Sequence, residues 1–289
     1  MSGTYYVPEK SYWPLVGAIG LFCLAMGFAQ VLQEHTSVGW PLFTVGAAIL
    51  VFMMFGWFRD VIIENRKGLH SQQMDRSYRW GMIWFIFSEV MFFGAFFDAL
   101  FYIRSFVIPA LGGAGTHAFT HKLLWPEFQA MWPLYINPDN ADFTGPLHTL
   151  KAWGIPTLNT VLLLSSAVTL TWAHWGLLKN KRGTVIMGLF LTVTLGYIFL
   201  GCQAYEYYLA HHHDQLTLAS GIYGSTFFLL TGFHGMHVTI GAIMLTIMFF
   251  RVLKGHFTPE KHFAFEAVAW YWHFVDVVWI GLYVFVYWM

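Results

Sequence analysis

Several ionisable side chains of this 289-residue sequence stand inside long apolar runs, and each invites a chemical reading. Glu89 lies in Trp80-Gly-Met-Ile-Trp-Phe-Ile-Phe-Ser-Glu-Val-Met-Phe-Phe-Gly94. On a helix rising about 1.5 Å per residue it is about 15 Å beyond Arg79, half of a hydrocarbon core roughly 30 Å thick. A carboxylate at that depth costs at least ~2.5–3.5 kcal/mol. It is a proton-relay or lipid-cleft carboxyl, or a neutral acid hydrogen-bonded to a neighbouring helix. In Gly232-Phe-His-Gly-Met-His-Val-Thr-Ile-Gly241, His234 and His237 share one helical face, which suggests haem or metal. Residues i and i+3 of one helix cannot be both axial ligands of a single haem, and copper or zinc would want a third ligand. Close packing through small and hydrogen-bonding side chains is the favoured reading.

The C-terminal run repeats the theme. His262, Glu266, Trp270, His273 and Asp276 fall within roughly 120° on a helical wheel, a polar stripe that should face protein rather than lipid. It is either a proton path or, the favoured reading, a buried helix contact. Glu206, in Gly201-Cys-Gln-Ala-Tyr-Glu-Tyr-Tyr208, lies near the end of another apolar run and is followed by His211-His-His213. Adjacent residues diverge around a helix, so the three histidines read as an interfacial polar cap and not as a metal site. Cys23 and Cys202 read as small packing residues.

These residues need membrane-spanning helices to hold them. Seven segments carry the ~20 apolar residues a span requires, near 13–33, 41–63, 80–103, 155–178, 184–209, 222–250 and 264–288. Turn residues or charge separate them, as in Lys179-Asn-Lys-Arg-Gly183. The composition agrees. Only 10% of residues are charged against about 25% in soluble domains, while 57% are hydrophobic. Mean hydropathy is +0.55. The expected fold is an all-α, single-domain integral membrane protein. A net charge of zero gives no footprint for nucleic acid, and the apolar content excludes disorder. No removable signal peptide is read in residues 1–10.

Lys and Arg set the orientation. With the N-terminus inside, 12 of the 15 basic residues fall on the cytoplasmic side, leaving Arg104, Lys122 and Lys151 outside. The N-terminus is therefore expected in the cytoplasm and the C-terminus outside. The 104–151 loop holds five of the ten prolines together with Trp125, Trp132 and Tyr135. It is expected to be ordered on the outer face, against a partner chain or against its own helices. No Walker loop, dinucleotide fingerprint, zincin helix or close cysteine pair is present in the sequence. From the residues alone the chain is a polytopic helical bundle, a subunit or a transporter.

The segments together resemble the subunit III family of haem–copper cytochrome c oxidases, and specifically a bacterial member of an aa3-type enzyme. The matching stretches are Trp57-Phe-Arg-Asp60, Ser88-Glu-Val-Met-Phe-Phe93, Leu158-Asn-Thr-Val-Leu-Leu-Leu-Ser-Ser166, Gln203-Ala-Tyr-Glu-Tyr207, Gly232-Phe-His-Gly-Met-His237 and Phe263-Ala-Phe-Glu-Ala-Val-Ala-Trp-Tyr-Trp-His-Phe-Val-Asp-Val-Val-Trp279. The last, with His273 and Asp276 in place, is the most specific. The resemblance runs from about residue 10 to the end, leaving aside the 104–151 loop.

The resemblance implies seven helices in a V, two separated from five by a phospholipid-filled cleft. It implies a non-catalytic core subunit without a redox centre of its own. Haem a, haem a3 and copper would lie in partner subunits I and II, with cytochrome c reaching the complex as electron donor. The subunit would support proton uptake and the stability of subunit I during aerobic respiration in the bacterial inner membrane. Glu89 matches the family's carbodiimide-reactive intramembrane carboxyl. Trp57, Arg59, Glu64, His70, Arg79, Arg251 and Lys254 match lipid-headgroup positions, while Glu206, His234, His237, Glu266, His273 and Asp276 remain structural polar residues. Asp98 departs from the family, where an aromatic is common, and the outer loop is expanded. Two rivals stand beside this reading. One is a stand-alone transporter or proton channel using Glu89, Glu266 and Asp276. The other is a di-haem carrier using His234, His237 and His273.

Overall fold

A computed structural model describes residues 11–288. The signal-peptide reading of residues 1–10, and Lys10 in the orientation argument, lie outside the described residues. Among the described residues seven helices are long and apolar enough to cross a membrane. They are α1 (Trp13–Leu32), α2 (Thr36–Arg66), α3 (Gln72–Tyr102), α4 (Ile155–Leu178), α5 (Arg182–His212), α6 (Gly221–Leu253) and α7 (Phe263–Leu282). A helix satisfies its backbone polar groups within one segment, which hydrocarbon demands. Pro14 and Pro156 sit in first turns, where a missing N–H costs nothing.

Four helices outrun the apolar segments that announce them. α2, α3 and α5 have 31 residues each and α6 has 33. At about 1.5 Å per residue each exceeds a ~30 Å hydrocarbon core. Polar sequence keeps these helices going where local pairs favour it. Near the start of α3, Arg79 Nε donates to Asp75 Oδ2 of the first turn at 2.9 Å across an i,i+4 step. At its other end α3 passes through a π turn, Ile103–Val107, into a further helical turn, Ile108–Leu111. Pro109 cannot donate to the carbonyl four residues back, and the widened turn accommodates the break. Another short helix, Ala118–Leu124, follows. The first part of the 104–151 loop is therefore helical. The rest is irregular but packed, with Phe128 and Leu134 buried. Asn137 Nδ2 donates to Phe143 O at 2.7 Å and to Ser220 O at 3.4 Å, tying the loop to the start of α6.

The chain divides into two compact units at Trp80 and Gly81. In the first, α1 and α2 are joined by a short turn and run antiparallel. A Cβ on Gly46 would run into the backbone N and Cα of Leu24, and one on Gly27 into the backbone of Phe43. The two main chains therefore touch directly, as small residues allow in lipid. Trp13 Nε1–H donates to Asp60 Oδ2 at 2.8 Å and closes the far end of the pair.

In the second unit α7 is the central helix. Its Trp272 Nε1–H donates to Ser166 Oγ of α4 at 2.8 Å, and Trp279 Nε1–H donates to Thr160 Oγ1 of α4 at 2.9 Å. The Trp272 indole fills the room left by two absent Cβ atoms, at Gly196 of α5 and Gly241 of α6. On α3, Phe93 packs against Phe274, ring centroids 6.1 Å apart. All four neighbouring helices thus rest on α7.

Candidate functional site

Glu89 of α3 meets His237 of α6 within the second unit. His237 stands sixteen residues from each end of α6, and Glu89 lies near the middle of α3. His237 Nε2 is 2.8 Å from Glu89 Oε2, with the two side chains 7% and 21% exposed. His237 Nδ1 lies 2.6 Å from Phe233 O. A carbonyl only accepts, so Nδ1 carries a hydrogen. One further proton is then shared between Nε2 and the carboxyl, giving either acid and neutral imidazole or carboxylate and imidazolium. Both arrangements are net neutral, the form in which a mid-span acid is least costly. Phe93 packs edge-on to the ring at 5.0 Å, and Tyr271 lies parallel to it at 6.3 Å.

His234 does not join this site. Residues i and i+3 differ by about 60° around a helix, enough to turn His234 into a different groove. There it packs against Phe199 and Trp279 at 5.9 and 5.2 Å. Both of its ring nitrogens are buried without a hydrogen-bond partner among the described residues.

Glu206 is buried near the end of α5 and collects its own donors. Gln203 Nε2–H and Tyr287 O–H reach Glu206 Oε2 at 2.8 and 2.9 Å, and Asn159 Nδ2 donates to Gln203 Oε1 at 3.2 Å. Beyond it, His212 stacks on Tyr208 at 4.2 Å while His211 lies edge-on to His212. Just before α7, the His262 ring lies 5.6 Å from that of His174. Farther along, His273 Nδ1 is 3.6 Å from Asp276 Oδ2. Glu266 is half-buried in the first turn of α7, between His262 and His273 in the chain. Among the described residues no group of three or more His, Cys, Asp or Glu side chains is placed to hold a metal ion.

The lipid-headgroup candidates fall in both units. In the first, Trp57 and Arg59 are exposed near the C-terminal end of α2. His70 Nε2 lies 3.7 Å from Glu64 Oε2, and Arg79 pairs with Asp75. In the second, Lys254 is exposed just after α6. Arg251 is buried, its guanidinium 4.5 Å over the Phe257 ring, and its Nε has no hydrogen-bond partner among the described residues. Asp98 is exposed on α3. Sequence reasoning missed the partners rather than the residues. His237 is 148 positions from Glu89, and Tyr287 is 81 from Glu206. No local pattern signals such pairs; only the shared need of buried polar atoms for partners does.

A family model described as cytochrome c oxidase subunit III matches residues 3–116 and 119–289. The cytochrome c oxidase subunit 3 of Carassius auratus is 42% identical over 285 residues, 98% of this chain and 96% of that protein. That of Bos mutus grunniens is 41% identical over the same span and the same shares. That of Cyprinus carpio is again 42% identical, with the same coverage.

Proposed function

The chain belongs to the cytochrome c oxidase subunit III family, and from that premise we propose that it supports the proton chemistry of the complex and binds phospholipids. Membership makes it a subunit of cytochrome c oxidase, an oxidoreductase of the respiratory chain in which subunit III is itself non-catalytic. The finer reading is an aa3-type enzyme of the bacterial inner membrane, with subunits I and II as partners holding haem a, haem a3 and copper. The basic residues favour a cytoplasmic N-terminus. The family's V-shaped arrangement and lipid cleft belong to this proposal as well.

One observation favours a supporting role over a stand-alone proton channel. The Glu89–His237 pair ends on the Phe233 carbonyl, an acceptor that cannot pass a proton on. In our reading Glu89 is a neutralised polar clasp between α3 and α6, and its effect on proton uptake acts through subunit I. For lipids, a phosphate suits the exposed Lys254 just after α6, and likewise the exposed Arg59 beside the amphipathic Trp57.

The test is gentle detergent purification from native membranes, followed by reduced-minus-oxidised spectra and metal assay of the complex and of the dissociated chain. Haem a and copper are expected in the complex and absent from the separated chain. Stoichiometric metal retained by the isolated chain overturns the reading, and so does proton transport by that chain alone in vesicles.

A further inference from the structure

Beyond α3 the chain folds back on itself and leaves a cavity of about 620 Å³. One wall is the end of α3 with the π turn that follows, supplying Tyr102, Ser105 and Phe106. The other is the short helix Ala118–Leu124, supplying His121, with His117 just before it and Trp125 just after. Gly113 makes the fold-back tight: its φ is +86°, and a Cβ there would come within 3.2 Å of the His121 side chain. His121 Nδ1 lies 2.9 Å from Leu111 O. A carbonyl only accepts, so Nδ1 carries the hydrogen, and in the neutral ring Nε2 is left as an acceptor. A polar group is thus held in place at the wall of a largely apolar hollow, the make-up and size of a small-ligand site.

The depth and the lining say what that ligand is. Tyr102 follows Glu89 by thirteen residues, about 20 Å along the helix. That exceeds half of a ~30 Å hydrocarbon core, so the cavity lies at headgroup level. The short helix beside it exposes Phe119, Leu123 and Leu124, as a helix lying in a membrane surface does. The ligand therefore arrives from the lipid. No Asp, Glu, Lys or Arg among the described residues lines the cavity. A charged phosphate would shed water there without gaining a counter-charge, whereas an uncharged headgroup loses far less. The His121 Nε2 suits an O–H donor, and the Tyr102 and Ser105 hydroxyls suit carbonyl acceptors. A diacylglycerol offers both, one free hydroxyl and two ester carbonyls, on chains that can leave past the exposed Phe106.

We propose that this cavity binds an uncharged glyceride, a diacylglycerol whose hydroxyl donates to His121 Nε2. The site is separate from the phospholipid positions proposed above and stands or falls without them.

The test uses the whole complex in nanodiscs of phosphatidylcholine doped with a diacylglycerol that carries a diazirine on one acyl chain, close to the ester. After irradiation and digestion the label is expected in residues 102–125, and an excess of plain diacylglycerol should remove it. H121N keeps an N–H for Leu111 O but gives up the ring acceptor; it should cut that labelling about tenfold, as for loss of one hydrogen bond in lipid. A110F places a ring inside the cavity and should abolish it. Label on the lipid-exposed face of α5 is the reference within each sample, so a variant that fails to fold alters both. No label in 102–125, label that the excess does not displace, equal label in parent and both variants, or equal label from a diazirine phosphatidylcholine overturns the proposal.

Discussion

The α1–α2 pair and the five-helix unit solve one problem by opposite means. Lipid tails are as apolar as leucine, so helices in a membrane gain little by merely hiding apolar side chains from their surroundings. The pair brings two main chains into contact at Gly27 and Gly46 and adds one indole hydrogen bond, Trp13 to Asp60. The larger unit does the reverse. It drives the bulky side chains of α7, Trp272 and Trp279 foremost, between four helices and anchors each indole to a hydroxyl. Glycine contact suits two helices that meet along one shared face. A wedge of aromatics suits a helix that must satisfy four neighbours at once.

The strongest way to break this contrast is Trp272→Ala. Removing a buried indole that also bonds Ser166 should destabilise the five-helix unit by about 4 kcal/mol, read as a lower midpoint in mixed-micelle denaturation. A loss under about 1 kcal/mol would mean that α7 is no wedge. Next comes Gly46→Val, whose new methyls have backbone rather than side chain in their way; the expected cost is about 3 kcal/mol. Hydrogen-exchange protection should fall first along α1 and α2.

Glu89→Ala strands the His237 Nε2 in a buried position and should cost about 2 kcal/mol. Glu89→Gln keeps a donor facing that nitrogen and should cost under about 1 kcal/mol, with oxidase assembly intact. Equal losses from the two would show that the pair contributes only packing. The smallest effect is expected of Trp13→Phe, which deletes one partly exposed hydrogen bond and should cost about 0.6 kcal/mol, measurable only as a small shift of the same midpoint.

The sequence makes the seven spans legible because hydrocarbon filters composition so severely that twenty apolar residues can be little else. The ends of the spans are less legible. A helix feels no edge at the headgroups, so Gln72–Arg79 stays helical on the strength of Asp75 and Arg79, and Pro109 widens a turn where a loop was expected. Glu89, Glu206 and His273 stand out singly as polar residues at depth. Their pairings do not, because Tyr287 and Thr171 look like ordinary span residues, and nothing in the sequence joins His237 to Glu89, until the fold brings them alongside. The His234 and His237 pair shows the limit of spacing. Residues on one face by the wheel enter two different grooves once three neighbouring helices crowd around.

The indole of Trp272 has a further consequence, one of descent rather than of energy. Because it occupies space that Gly196 and Gly241 leave vacant, positions 196, 241 and 272 cannot drift separately. A methyl at either glycine becomes tolerable only after the tryptophan has shrunk, and a shrunken tryptophan leaves a hollow that rewards a larger residue at the glycines. The trio should therefore change together across lineages or not at all, a coupled inheritance written into one side chain's volume.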